Sequence, residues 1–248
     1  MISLANIFGK KTEDTVLWID LWGISKLIQD HQSTGDLLIQ SDIAFKIAIF
    51  TSRLAVVAQN FSDIDVLQGS DGAFVVGADP NRVFEVAINI FQNLHLHFGT
   101  RFHLVPLRGG ISQNLIETSS NKEELEKLKN FRYFPYTGEG MAKASKIERN
   151  QNKKGIRLFI TETVKVRLNT NNIQRVSNLP EPNGVKILSE QTENYFEVNW
   201  MDKTFLDHQI GHKSVKEYLE EIYNASQNSS DIHLKGLGEG LKELIDQI

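Results

Sequence analysis

The sequence predicts an α+β fold in which a mixed central sheet is flanked by helices. Short apolar runs typical of strands alternate with stretches of helical periodicity, and two of these runs are separated only by the turn-forming residues Ser70-Asp71-Gly72. The chain has 248 residues, of which 40% are hydrophobic and 23% charged. This length and composition suffice for one sizeable core and exclude a mostly disordered chain.

The first half of the chain predicts elements in the order β-α-α-β-β-α. Residues 15–22, TVLWIDLW, are β-branched and aromatic and predict a central strand that ends at Gly23. Helices are predicted from about 23–32 and over about 39–59. IDVLQG and AFVVGA then predict a hairpin, and Asp79-Pro80 predicts the start of a helix that stops at Gly99.

The second half predicts four further strands and several helices. HLVPLRGGIS predicts a strand, residues 121–130 a charged helix, YTGEGMAKASKIERN a loop and helix, and GIRLFITETV a strand and short helix. VKILSE and YFEVNW predict edge strands, and 214–248 predict helices broken at 224–231 and at the glycines of GLGEG. We therefore expect an N-terminal segment (1–13), a main domain (14–170) and a C-terminal extension (171–248).

Composition also limits the partners. The net charge of −4 argues against broad electrostatic capture of nucleic acid. The absence of cysteine excludes a disulfide scaffold and thiolate chemistry and is consistent with a cytoplasmic protein. The longest apolar stretch, 43–57, is interrupted by Lys46 and Arg53, so we expect no membrane span.

Two aspartates stand out because they lie inside apolar surroundings. Asp20 is within the first predicted strand, and Asp71 is at the tip of the predicted hairpin. A carboxylate in a hydrophobic run is costly unless it is paired, and two of them on neighbouring strands would suit Mg²⁺ or Mn²⁺. Taken singly, each aspartate could instead cap a helix or a turn.

Four blocks in order, WIDLWGIS, LQGSDGAFVV, LRGGIS and GEGMAKASKIE, resemble the signature blocks of the class III nucleotidyl cyclase catalytic domain. The resemblance covers about residues 14–165 and implies that the main domain is this catalytic domain. It implies two Mn²⁺ or Mg²⁺ ions per active site, held by Asp20, Asp71 and the backbone carbonyl of Leu21. It also implies a homodimer in which both protomers contribute to each site.

The same resemblance assigns residues to the triphosphate. Arg108 matches the arginine that contacts it, and Gly23, Ile24 and Ser25 lie where backbone N–H groups at a helix start would cradle phosphates. Lys146 stands where the family has an arginine that stabilises the transition state. A lysine there would supply the charge without the guanidinium fork.

The departures from the family pattern concern the residues that recognise the nucleotide base. Leu67 replaces the lysine of purine-specific members, and the expected aspartate falls near Pro135 or Tyr136. Ala142 replaces the asparagine of the fourth block. Tyr136 is therefore a candidate for contacting a pyrimidine base.

The chain keeps both metal aspartates but lacks the lysine and aspartate with which purine-specific members recognise the base. This combination resembles the bacterial Pycsar-type pyrimidine cyclases. The segments SDG and RGGIS and the A-x-x-x-E pattern of Ala144 and Glu148 resemble them as well. This resemblance implies conversion of UTP to cyclic UMP and pyrophosphate as an anti-phage second messenger. CTP and cyclic CMP stay open, because no residue decides between uracil and cytosine. Two further alternatives are a degenerate module that binds nucleotide without turnover and an adenylate cyclase with unusual base contacts.

Overall fold

The computed structural model describes residues 8–93, 95–98, 101–119, 136–149, 153–185, 192–230 and 232–248. The strands in these ranges are β1 (Phe8–Leu21), β2 (Ile64–Gln68), β3 (Gly72–Gly77), β4 (His95–Phe98), β5 (Arg101–Leu104), β6 (Leu107–Ser119), β7 (Tyr136–Gly138), β8 (Arg157–Thr161), β9 (Tyr195–Val198), β10 (Gln209–Ile210) and β11 (Lys213–Ser214). The helices are α1 (Ile24–Thr34), α2 (Leu37–Asn60), α3 (Pro80–Asn93), α4 (Glu139–Glu148), α5 (Glu162–Lys165), α6 (Thr170–Ile173), α7 (Lys203–Asp207), α8 (Val215–Gln227) and α9 (Ile232–Ile245).

Most of the strands form one mixed sheet. Its order is β2–β3–β1–β6–β8–β9, with β7 paired to β6. The β6–β8 pair is parallel and the other pairs are antiparallel. This arrangement confirms the predicted α+β class with a mixed sheet and flanking helices, and β1 lies at its centre as the apolar run at 15–22 predicts.

The two faces of the sheet pack differently. Successive side chains of a strand point to opposite faces, so Leu17 and Ile19 of β1 face one way and Trp18 and Asp20 the other. Leu17 and Ile19 are fully buried in the main hydrophobic cluster, with residues of α2 and α3 such as Phe84. Helix α4 packs against β6 and β1. We call the side that carries Trp18 and Asp20 the Asp20 face.

Two predictions around residues 93–107 are wrong. The helix expected to continue to Gly99 ends at Asn93, and His95–Phe98 forms β4, which pairs with β5. The single strand expected over HLVPLRGGIS is divided between β5 and β6, because Pro106 between them has no N–H to donate to a ladder. The helix predicted at 121–130 lies outside the described residues, as does most of the strand predicted for VKILSE.

The C-terminal helix α9 docks on the turn that precedes β8. The glycines of GLGEG were expected to break a helix, but they lie inside α9. A Cβ at Gly240 would lie 2.6 Å from the carbonyl oxygen of Lys154, and one at Gly236 would lie 2.8 Å from the Lys154 side chain. Glycine therefore allows close packing here. Below the contact, the buried Arg157 pairs with Glu197 of β9 and Glu243 of α9 at 2.5 Å each.

Among the helices that the structure describes, none has the length and apolar character needed to cross a membrane.

Candidate functional site

Asp20 lies at the end of β1 between two informative neighbours. It is opposite Gly72 of β3 on one side and Arg108 of β6 on the other. Directly paired residues share a face of the sheet, so Asp20 and Arg108 project to the same side. A Cβ at position 72 would lie 2.7 Å from Cζ2 of Trp18, so only glycine leaves room for the indole beside Asp20.

Asp71 is held at the same end of the sheet by backbone hydrogen bonds. The turn between β2 and β3 closes with the N–H of Gly69 donating to the carbonyl of Gly72 at 2.8 Å. The N–H of Leu21 donates to the carbonyl of Asp71 at 2.9 Å. Ser70 donates its hydroxyl to Oδ1 of Asp71 at 2.7 Å. The hairpin predicted from Ser70-Asp71-Gly72 thus attaches the second aspartate to the end of β1.

Negative charge accumulates around Asp20. The pKa of Asp20 is raised from 3.8 to about 7, first by burial, then by the negative charges of Glu148 and Asp71. Arg149 and Arg108 oppose this shift without cancelling it. Burial and neighbouring acids thus disfavour the charged form of Asp20, and a divalent cation would favour it.

The oxygen atoms near Asp20 fit a hard cation that also binds water or substrate. Across the described ranges, no group of three or more His, Asp or Glu side chains is placed to hold an ion by itself. Asp20, Asp71 and the carbonyl of Leu21 offer oxygen ligands, the type that Mg²⁺ and Mn²⁺ prefer. An ion held by these three groups would need water or substrate oxygens to complete its coordination. The metal site stays a prediction.

Helix α1 begins immediately after these residues. Gly23 precedes it with φ of 89°, a left-handed conformation that favours glycine, and no side chain caps the helix. The N–H of Trp22 donates to the carbonyl of Pro106 at 3.1 Å, which fixes the turn against the strand leading into β6. In the first turn Ile24 is buried and Ser25 is exposed, and the N–H groups at this helix start have no side-chain cap. Their role as a phosphate cradle stays a prediction.

Arg108 is buried and paired with an acid. Its Nε lies 3.5 Å from Oε1 of Glu148, and their side chains are only 9% and 6% exposed. Burial lowers the pKa of Arg108, and Glu148 opposes this. Burial raises the pKa of Glu148, and Arg108 opposes that shift. Asp20, Arg108 and Glu148 therefore form one charged group on the Asp20 face.

Lys146 and Glu148 lie on different sides of α4. Lys146 is exposed together with Ala142, whereas Glu148 is buried. The helix spacing explains this, because positions 142 and 146 are one turn apart and 148 is on another side. The role predicted for Lys146 stays a prediction.

Tyr136 is the first residue of β7 and lies in a small apolar cluster. Its side chain is 7% exposed and packs with Val16, Ile116 and Met141. Its hydroxyl donates to Oδ2 of Asp65 on β2. Asp65 pairs with Val76 and Leu67 with Phe74, so Asp65 and Leu67 both lie on the Asp20 face. The contact between Tyr136 and a nucleotide base stays a prediction.

Sequence reasoning missed two charged residues of this surface. Asp65 was overlooked because a single acid in a short strand resembles a solvated edge residue. Its spacing of two from Leu67, which places both on one face, was the available signal. Glu148 was noted only as part of a pattern, and no local signal indicated its partner Arg108, which is 40 positions earlier.

The structure is similar to catalytic domains of nucleotidyl cyclases. It matches the guanylyl cyclase Cya2 with a TM-score of 0.56 at 15% identity, covering 79% of this chain and 96% of that one. It matches the guanylate cyclase domain of RhGC from Catenaria anguillulae in complex with GTP with a TM-score of 0.54 at 13% identity, covering 77% and 98%. It also matches the adenylyl cyclase CyaB from P. aeruginosa with a TM-score of 0.51 at 10% identity, covering 78% and 96%.

No family model matches the sequence, and no curated protein is related to it closely enough in sequence to be counted as a match. At identities this low the likeness shows the fold alone. The chain therefore has the α+β fold of class III cyclase catalytic domains, as the four sequence blocks predict.

Proposed function

We propose that this protein is a metal-dependent nucleotidyl cyclase that converts UTP to cyclic UMP and pyrophosphate. The observation that carries the proposal is the placement of Asp20, Asp71 and Arg108 at one end of the sheet of a cyclase fold. Two carboxylates beside a buried guanidinium and an uncapped helix start fit a metal-bound triphosphate. Cyclic CMP from CTP is the close alternative.

The reaction needs positioning more than covalent chemistry. The 3′ hydroxyl of the nucleotide attacks its own α-phosphorus and pyrophosphate leaves, so one P–O bond forms and one breaks. Bound Mg²⁺ or Mn²⁺ ions would lower the pKa of that hydroxyl and offset phosphate charge. Asp20 and Asp71 would hold the ions, Arg108 would bind triphosphate oxygens, and the N–H groups of Ile24 and Ser25 would orient the phosphates.

The proposed active form is a homodimer. Ala142 and Lys146 lie on the exposed side of α4, where a second protomer could meet them. Lys146 would then contribute positive charge to the site of the partner subunit, as the cyclase resemblance implies. Because a lysine is a point charge, it would stabilise the transition state less directionally than an arginine.

The pyrimidine preference rests on the residues that stand in place of the lysine and aspartate of purine-specific members. Leu67 is apolar where a lysine would read a purine, and Tyr136 stands near the position of the expected aspartate. The Tyr136–Asp65 hydrogen bond presents a polar group on a surface that otherwise carries Leu67. The chain thus has neither the lysine nor the aspartate with which purine-specific members recognise the base. The anti-phage role is proposed from the Pycsar resemblance alone.

The proposal is tested by incubating the protein with ATP, GTP, CTP and UTP separately, each with Mn²⁺ or Mg²⁺, and separating the products. We expect cyclic UMP, with cyclic CMP as the alternative, and pyrophosphate in equal amount. Asp71→Asn is the inactive control. Dominant cyclic AMP or cyclic GMP would reject the pyrimidine assignment, and the absence of any cyclic product would reject the cyclase assignment.

One observation favours a second candidate, a cyclase-like module that binds nucleotide without turnover. Ala142 and Lys146 replace both residues that the family uses near the transition state. Such a module would bind nucleoside triphosphate with measurable affinity in the same assay and release no product. Retention of both aspartates favours the enzyme, since a binding module has no need of two metal carboxylates.

A further inference from the structure

The buried contact between Arg108 and Glu148 joins a strand and a helix. Arg108 lies at the start of β6, and Glu148 is the last residue of α4. The distance from Nε of Arg108 to Oε1 of Glu148 is 3.5 Å, and both side chains are more than nine-tenths buried. A buried guanidinium needs a nearby anion, because removing its charge from water is costly otherwise.

The sequence of β6 explains why Glu148 reaches this position. Arg108, Gly110 and Ser112 are spaced by two and therefore face α4 together. The hydroxyl of Ser112 donates to the carbonyl of Gly140. A Cβ at Gly110 would lie 2.5 Å from Cγ1 of Ile147 and 3.1 Å from the N of Glu148. Glycine at position 110 thus lets the end of α4 approach the sheet.

The neighbouring arginine has its own acids. Arg157 of β8 is paired in register with Arg108, and its charge lowers the pKa of Arg108. Arg157 bonds to Glu197 and Glu243 at 2.5 Å each. Of the acids that raise the pKa of Arg108, Glu148 has the largest effect, and Asp20 and Glu197 have smaller ones.

A guanidinium can bind two anions at once. It has five N–H donors along different edges, so one group can bond to a carboxylate and to a phosphate at the same time. Holding the group in advance reduces the ordering cost when the ligand binds. A positioning acid therefore affects phosphate binding, whereas a purely structural ion pair affects only the stability of the fold.

We propose that Glu148 is a positioning residue that orients Arg108 toward the triphosphate. This inference rests on the proposed function, because it assumes that Arg108 binds phosphate. Glu148 itself contacts no substrate in this proposal. Its carboxylate acts through the guanidinium, and Gly110 places it there.

The test is a double-mutant cycle with Glu148→Gln, Arg108→Gln and the double variant. The readout is the affinity for inorganic tripolyphosphate with Mg²⁺, measured by calorimetry. We expect Glu148→Gln to weaken binding about tenfold, and the double variant to match Arg108→Gln within about twofold. Glu148→Asp, which keeps the carboxylate, should recover part of the affinity. The double variant removes the buried charges together, so it is measurable even if one single variant folds poorly.

The matched control is Glu243→Gln, which makes the same change on the partner of the neighbouring arginine and should leave the affinity unchanged. Independent losses that add in the double variant would overturn the proposal, and so would tighter binding by Glu148→Gln, which would show that the carboxylate competes with phosphate. A wild-type protein that binds no tripolyphosphate would also overturn it. Cyclic product from the four nucleotides is scored separately and decides the proposed function independently.

Discussion

The N–H of Leu21 donates to the carbonyl of Asp71 at 2.9 Å, and this hydrogen bond joins the two aspartates of the candidate site. It links the end of β1, where Asp20 lies, to the turn that carries Asp71. Because the bond is between backbone groups, it does not depend on either carboxylate. Substitutions of Asp20 or Asp71 can therefore test the chemistry without removing the contact that assembles the site.

Asp20→Asn should abolish activity and stabilise the metal-free protein. The pKa of Asp20 in the folded state, about 7, lies above its ordinary value of 3.8. Between these values the folded state holds a proton that the unfolded chain has released, so Asp20 lowers stability progressively as pH rises from about 4 to 7. The amide removes this effect. We expect a gain of about 2 kcal/mol at pH 8, discounted for partial exposure of the carboxylate.

The measurement is urea unfolding at pH 8 and pH 5 with EDTA present. The gain should shrink at pH 5. Asp30→Asn is the matched control, because that side chain is 45% exposed and its Oδ2 lies 3.9 Å from Nζ of Lys26. An equal gain in both variants, or none in Asp20→Asn, would contradict the electrostatic interpretation.

Mn²⁺ should raise the melting temperature of the wild-type protein. A ligand at 100 times its Kd stabilises a folded protein by about 2.7 kcal/mol, which corresponds to about 5–10 °C for a chain of this size. Asp20→Asn and Asp71→Asn should lose most of the shift, since each removes a proposed ligand. Thermal scans with and without Mn²⁺ measure it. Equal shifts in wild type and both variants would place the ion elsewhere.

Gly72→Ala should destabilise the fold and lower activity together. The added methyl group would lie 2.7 Å from Cζ2 of Trp18, so the indole beside Asp20 must move. We expect a loss of about 1–3 kcal/mol from overpacking. Gly69→Ala in the same turn is the control, because its Cβ would be 3.4 Å from the nearest atom, the carbonyl oxygen of Gly72. Equal free energies of unfolding for the two variants in urea would show that the Trp18 side chain moves without cost, which would contradict the prediction.

Glu197→Gln should strongly destabilise the protein. Glu197 is 4% exposed and pairs with the buried Arg157. Removing one partner of a buried pair typically costs about 3–5 kcal/mol, because the other charge stays buried. Glu243→Gln removes the partner whose side chain is 58% exposed and should cost less than about 1 kcal/mol. Chemical unfolding of both variants compares them, and a larger loss in Glu243→Gln would reverse our ranking of the two contacts.

Tyr136→Phe should lower kcat/KM for UTP about tenfold if this residue reads the base, since a polar site then lacks one hydrogen-bonding group. The change keeps the ring that packs with Met141 and removes only the hydroxyl bonded to Asp65. Tyr218→Phe is the control, because its hydroxyl bonds to Ile210 in the C-terminal region. Unchanged selectivity among the four nucleotides would leave Tyr136 a packing residue.

Local signals made much of the fold predictable. The hairpin from Ile64 to Gly77 is predicted by turn residues between apolar runs, and α3 starts at Pro80 because Oδ1 of Asp79 accepts the N–H of Asn81. The error at residues 95–98 has a nonlocal cause. Apolar residues continue the helical pattern, but β5 offers a strand partner that periodicity cannot reveal.

The candidate site was predictable in part for the same reason. Asp20 and Asp71 are conspicuous because each lies in an apolar run. The contact between Arg108 and Glu148 is not conspicuous, because a terminal helical glutamate usually faces water and its partner is 40 positions away. Gly110, which allows this contact, looks like an ordinary strand glycine in the sequence.

The docking of α9 on the turn before β8 determines where the chain can be shortened. Arg157 is 2% exposed, and one of its two acidic partners, Glu243, comes from α9. A chain ending at residue 230 would lack α9. The buried Arg157 side chain and the turn before β8 would then be exposed to solvent. The smallest piece that folds independently should therefore extend through Ile245, well past the four blocks that resemble the cyclase domain.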